Sequence, residues 1–168
     1  MTEARTAWTA VLCSAVTVLA LRGLGVSLLP PLLINLSASA PPGVYAVHAH
    51  PDRNYPTGTL IVLPVPDAFR KMVARRGWLK PGVPLIKTVG ARSGDQVCWE
   101  THLTVNDEDR GPILARDSAG RALPRPHGCA RVPDGFFLPL STRIPNSFDG
   151  RYIGVQPLAA IWGEARPV

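Results

Sequence analysis

Residues 84–105 read Pro-Leu-Ile-Lys-Thr-Val-Gly-Ala-Arg-Ser-Gly-Asp-Gln-Val-Cys-Trp-Glu-Thr-His-Leu-Thr-Val, short apolar runs divided by turn residues. Leu85–Val89 is long enough for a strand but too short for a helix, and Ser93-Gly94-Asp95 is a turn signal. Gln96–Glu100 and His102–Val105 then read as two paired strands, with polar Asn106–Gly111 beyond them. The same grammar runs outward in both directions. Gly43–Ala49 alternates apolar and polar, Asn54–Gly58 is a turn, and Thr59–Leu63 is a short apolar strand. Downstream come a turn at Asp117–Arg121, a strand at Gly135–Leu140 after Pro133-Asp134-Gly135, and a last strand over Leu158–Gly163. One soluble helix is expected, over Asp67–Arg76. Asp67 is its candidate N-cap, Arg75 and Arg76 suit its C-terminal dipole, and Gly77 stops it. Eighteen prolines and fifteen glycines in 168 residues oppose long helices. The expected body is therefore mainly β, barrel-like or a sandwich.

The N-terminus differs in kind. Ala7–Leu21 carries no charge, Arg22 interrupts, and Gly23–Ile34 is apolar again. With Thr6 and a snorkelling Arg22 the run reaches the length of a bilayer span, and Trp8 suits its interface. One transmembrane helix is expected at roughly residues 6–26, ended by Pro30-Pro31. A cleavable signal peptide is the rival reading, with Ala38-Ser39-Ala40 as its cut site. The distance from Leu21 to Ala40 is too long for a cleavage region, and Pro41 would follow the cut. The anchor is therefore expected to be retained. The domain division is residues 1–34 as anchor and juxtamembrane segment, and residues 35–168 as the globular part.

The net charge of +6 fits either a solubilised surface or attraction to anionic headgroups. The basic residues are scattered and form no stripe interleaved with aromatics, so nucleic-acid binding is not expected. Of three cysteines, Cys13 lies in the apolar N-terminus. Cys98 and Cys129 are either unrelated thiols or, in an oxidising compartment, a disulfide. No C-x-x-C or H-x3-H spacing occurs, and His48-x-His50 on a strand shares a face without completing a metal site.

Three segments carry candidate chemistry. Lys87 stands alone in an apolar strand. If its ammonium is buried, its pKa falls and it becomes a base near neutral pH, able to activate a serine. Otherwise it is an edge lysine facing water. Ser39 sits among small residues in Asn35-Leu36-Ser37-Ala38-Ser39-Ala40-Pro41-Pro42-Gly43-Val44-Tyr45. Taken alone this is an ordinary linker; placed after a membrane span, its hydroxyl would act near the bilayer surface. Asp149 and Arg151, within Asn146–Gly154, can pair and Ser147 can orient an amine, or the stretch is an Asx turn with a surface ion pair.

Together these segments resemble the signal peptidases, in which a serine just after a membrane segment precedes a strand lysine and a late S-x-D-x-R element. The likeness is closest to the TraF-type peptidases of conjugative transfer. It rests on N-x-x-x-S-x-P-x-G-x-Y from Asn35 to Tyr45, on Lys87 followed by Gly94-Asp95, and on S-F-D-x-R-Y-x-G from Ser147 to Gly154. The resemblance implies a signal-peptidase-like (LexA-like) β-barrel catalytic domain facing the periplasm from a single-pass anchor in the bacterial inner membrane. It implies Ser39 as nucleophile, Lys87 as general base, and the Ser39 N–H with the Ser37 hydroxyl as oxyanion donors. Ser147 and Asp149 would support Lys87, and Arg151 would pair with Asp149. No metal or organic cofactor is implied. The implied substrate is the conjugative pilin precursor, processed through an acyl-enzyme and, in known systems, cyclised; other mating-pair-formation proteins are implied partners. Ordinary signal peptidases carry methionine after the nucleophile and have a longer catalytic domain, whereas Ala40 follows here. That departure points away from general secretory processing. A general type I signal peptidase and a non-catalytic scaffold of a secretion channel are the competing readings.

Overall fold

The computed structural model describes residues 30–168. The expected transmembrane helix over residues 6–26 lies outside them. Among the described residues no helix is long and apolar enough to cross a membrane.

The compact unit begins at Pro31. Strand β1 (Leu32–Asn35) follows at once, so the last apolar residues of the segment assigned to the anchor belong to the sheet. β1 pairs with β2 (Gly43–His48), and β3 (Leu60–Leu63) precedes helix α1 (Asp67–Arg75). Asp67 is the first helical residue rather than the cap. Pro66 takes the N-cap position, and its fixed φ and missing N–H are harmless there. Long β4 (Leu85–Arg92) leads into β5 (Gln96–Trp99), β6 (His102–Val105) and β7 (Glu108–Pro112). The chain returns through β8 (Gly128–Arg131) and β9 (Phe136–Leu140). It then forms a one-turn helix α2 (Gly150–Ile153), β10 (Gln156–Pro157) and β11 (Gly163–Pro167).

These strands make two antiparallel sheets. The larger runs β1-β2-β11-β3-β4-β9-β10 and the smaller β7-β6-β5-β8. Among the described residues β1 and β10 are the edges of the larger sheet, so the expected barrel is not closed by strand pairing there. Three expectations shift. Leu158–Ala160 is a 3-10 turn, and the last strand lies beyond it at Gly163–Pro167. The polar stretch after Val105 is a strand, because Asn106 and Asp107 both take positive φ (50° and 66°) and close a two-residue hairpin. Leu85–Val89 extends to Arg92 across a bulge between Val89 and Ala91. Gly90 sits in that bulge because a Cβ there would lie 2.6 Å from Leu140 Cβ.

Two apolar cores fill the fold. One gathers Tyr55, Ile61, Leu63, Val73, Leu85, Val89 and Phe137, with Phe69 and Trp78 packed against it. The other joins the two sheets through Val97, Trp99, Leu103, Leu138, Leu140 and Tyr152. Within the smaller sheet Cys98 and Cys129 are register partners on β5 and β8, and their sulfurs are bonded. A third, smaller cluster holds Ala40, Tyr45, Val62, Ile86 and Ala165. It sets the relative placement of two of the residues singled out from sequence. Ala40 and Ile86 are the chain neighbours of Ser39 and Lys87, so the β1–β2 loop and β4 are packed together although β11 and β3 lie between them in sheet order.

Candidate active site

Ser39 lies on the turn that joins β1 to β2. Five successive carbonyls of that turn are held by side chains. Asn35 Nδ2 donates to the carbonyls of Ser37 (3.1 Å), Ala40 (3.1 Å) and Pro41 (3.0 Å). Arg143 Nε donates to the Ala38 carbonyl at 3.4 Å, and Ser141 Oγ to that of Ser39 at 2.6 Å. Tyr45 OH adds a second donor to Pro41 at 2.6 Å. Among the described residues the Ser39 N–H has no acceptor, so it remains free to bind an anion. Asn35 Oδ1 accepts from Ser37 twice, from its N–H (3.0 Å) and its hydroxyl (2.8 Å). The Ser37 and Ser39 hydroxyls lie 3.1 Å apart.

Lys87 points into the same cleft from β4 and is 3% exposed. Its Nζ donates to Ser147 Oγ at 2.9 Å. Burial is the largest influence on this ammonium; Asp149 opposes it and Arg151 reinforces it, and the pKa falls from 10.5 to about 8. The edge-lysine reading of Lys87 is thereby set aside. No hydrogen bond joins Lys87 Nζ to Ser39 Oγ; each is bonded instead to a serine of its own. Both nonetheless line one cleft of about 580 Å³, with Leu33, Ile34, Ile86, Ile144 and Phe148 among its apolar walls.

Asp149 and Arg151 form no surface pair. They are 0% and 1% exposed, and Arg151 Nη1 donates to Asp149 Oδ2 at 2.8 Å. Asp149 also caps α2 by accepting from the Arg151 N–H (3.1 Å), and it accepts from the Ser141 N–H (3.0 Å). Arg151 Nη2 reaches the carbonyls of Arg110 (2.7 Å) and Ser141 (3.2 Å). Burial pushes the Asp149 carboxyl above its ordinary value, against the lowering pull of Arg151, Lys87 and the two backbone N–H groups. Removing either member of so buried a pair strands a charge, at a cost of about 3–5 kcal/mol. Gly150 stands between them because a Cβ there would meet Leu138 Cδ1 at 2.5 Å and the Pro139 carbonyl at 2.7 Å.

The six residues singled out from sequence therefore fall into two adjoining groups. Ser37, Ser39, Lys87 and Ser147 line the cleft, and Asp149 with Arg151 lies buried beneath it. Two participants went unnoticed. Asn35 opens the first motif, but its role as a clamp needs the turn to be seen closed. Ser141 lies six residues before Ser147, and nothing in its local sequence marks it out. Chemically, the arrangement offers a hydroxyl, a lysine neutral in part near pH 7, a free N–H and a cleft of largely apolar lining. Those are the components of acyl transfer by a serine.

Several known proteins are similar to this chain. The family described as "Signal peptidase, peptidase S26" matches residues 5–168. The conjugal transfer protein TraF of Agrobacterium fabrum is 33% identical over 144 residues, 80% of each chain. A probable conjugal transfer protein TraF of Sinorhizobium fredii is 32% identical over 146 residues, 80% of this chain and 75% of that one. A signal peptidase I structure from Enterococcus faecalis aligns with a TM-score of 0.39 at 20% identity, covering 66% of this chain and 96% of that one. By a family match spanning nearly its whole length, the chain belongs to the S26 signal peptidases and is a serine peptidase similar to the TraF proteins of conjugal transfer.

Proposed function

We propose that the protein is a membrane-anchored endopeptidase that matures the conjugative pilin precursor with a Ser39–Lys87 dyad. The observation that carries the reading is the buried Lys87 ammonium, with a pKa near 8, lining the same cleft as Ser39. The TraF names of two relatives support conjugation as the setting, and the uncharged run from Ala7 to Leu21 supports an inner-membrane anchor with the domain in the periplasm. A disulfide between Cys98 and Cys129 suits that oxidising compartment.

The Ser39 hydroxyl turns from Ser37 toward Lys87, and catalytic hydrogen bonds often tighten in this way only when substrate is bound. Ser39 Oγ then attacks the scissile carbonyl carbon while its proton passes to neutral Lys87 Nζ. The oxyanion accepts from the Ser39 N–H and from the Ser37 hydroxyl, which releases Asn35 to do so. Collapse breaks the peptide C–N bond, Lys87 returns the proton to the leaving amine, and an ester remains on Ser39. Water or the pilin's own amine then displaces Ser39. Water yields a linear product; the amine yields a cyclic one.

The test is Ser39→Ala and Lys87→Ala, scored for pilin processing and for conjugation. Both variants are expected to accumulate precursor. Normal processing with Ser39→Ala overturns the proposal. Mass spectrometry of pilin made with the wild-type protein separates cyclic from linear product by one water.

A further inference from the structure

Residue 141 uses all of its polar groups to join parts of the site that the sequence keeps far apart. It follows directly on β9 and is 2% exposed. Its hydroxyl donates to the Ser39 carbonyl at 2.6 Å. Its N–H donates to Asp149 Oδ2 at 3.0 Å, and its carbonyl accepts from Arg151 Nη2 at 3.2 Å. Its Oγ also accepts from the Arg143 N–H at 3.4 Å, and Arg143 Nε reaches the next carbonyl of the turn, that of Ala38. Asn35 holds the carbonyls on either side of this stretch, at Ser37 and Ala40, but neither at Ala38 nor at Ser39.

We propose that Ser141 is a positioning residue for the nucleophile: its hydroxyl fixes the Ser39 peptide against the buried Asp149–Arg151 pair. This inference rests on Ser39 being the nucleophile. The Ser39 carbonyl carbon and the Cβ that carries Oγ share one Cα. Holding the carbonyl therefore limits rotation of the Ser39–Ala40 peptide and the direction in which the hydroxyl leaves the turn. A nucleophile must sit about 3–3.5 Å from the carbon it attacks, and a shift of about 1 Å can lower the rate a hundredfold. The same ion pair acts on Lys87, whose ammonium feels both Asp149 and Arg151. One rigid object thus serves as reference for both halves of the dyad, through a hydrogen bond on one side and through its field on the other.

The two routes respond differently to mutation. Ser141→Ala removes the hydroxyl and leaves the N–H to Asp149 and the carbonyl to Arg151 in place. The full chain in detergent micelles, cleaving purified pilin precursor, should lose at least tenfold in kcat with KM within twofold. The rising limb of its pH profile should stay where the wild type has it. Asp149→Asn is the contrast and should move that limb. Ser141→Thr and Ser141→Val, which match in shape and differ in the hydroxyl, repeat the test should the alanine variant fail to fold; the threonine chain should be the faster by a similar factor. With Ser39→Ala inactive, a kcat within twofold of wild type for Ser141→Ala overturns the assignment. So does a lowered kcat accompanied by the limb shift of Asp149→Asn, since Ser141 would then act only through the ion pair. An active Ser39→Ala chain instead refutes the dyad itself.

Discussion

The proposed base makes the pH–rate profile the most direct probe of the site. Burial leaves Lys87 with a pKa of about 8 in place of 10.5. At pH 7 about one-tenth of the folded chains then hold a neutral lysine, against roughly 0.03% for an unperturbed one, a gain of about 300-fold in competent enzyme. In free-energy terms the shift is about 3 kcal/mol between the two protonation states. The assay is kcat/KM for cleavage of the pilin precursor between pH 6 and 10. The rate should climb about tenfold per unit at the acid end, bend near pH 8, and rise less than about twofold between pH 8 and 9. A profile that still climbs tenfold per unit through pH 9 would mean that the base is not desolvated, and the reading of the cleft would fail. Independence from pH over the whole range would also refute it, since no group titrating near 8 would then govern the reaction.

Three further outcomes follow from the same geometry. Lys87→Met should stabilise the inactive protein by about 2–3 kcal/mol at pH 7 in urea unfolding. The sign follows from the depressed pKa: between about 8 and 10.5 the unfolded chain holds a proton that the folded chain does not, so the cost of the lysine is full below 8 and gone above 10.5. Reducing the Cys98–Cys129 bond, which closes a separation of 31 residues, should lower stability by about 3–4 kcal/mol, read as a lower urea midpoint in dithiothreitol. Gly150→Ala should destabilise by about 1–3 kcal/mol and lower kcat together with it, because the added methyl would drive into Leu138 and the Pro139 carbonyl where Asp149 and Arg151 are held; a calorimetric midpoint equal to wild type would contradict that packing.

Strands with clear punctuation were legible from sequence. β2, β3, β5, β6 and β9 stand close to where alternation and turn residues placed them, because a half-buried strand writes its period into the chain. β1, β8 and β10 were not legible. β1 reads as the tail of an apolar anchor, since Leu32 and Ile34 are large hydrophobics that the fold leaves exposed. β8 is Gly-Cys-Ala-Arg, with no alternation, and exists as a strand because β5 offers it a ladder. α2 is a single turn whose start depends on the Asp149 side chain rather than on any periodic pattern. The pairing of Asp149 with Arg151 was visible as a possibility, but its depth was not. Two charges two residues apart usually meet at the surface, and only the surrounding β9, β7 and α2 decide otherwise.

What the sequence alone determined is the inventory: a β-rich body, a serine on a turn of small residues, a lysine inside an apolar strand, and a late Ser-Phe-Asp-Gly-Arg segment. Each is a local property, set by composition and spacing within a few residues. Tertiary structure decided how those groups are buried and held relative to one another. Desolvation of Lys87 depends on the groups packed around it, and the hydroxyl on its Nζ belongs to Ser147, 60 residues further along the chain. The hold on Ser39 likewise comes from Ser141, 102 residues away. Electrostatic and positional effects of this kind depend on distance in space, which the order of residues along the chain does not contain.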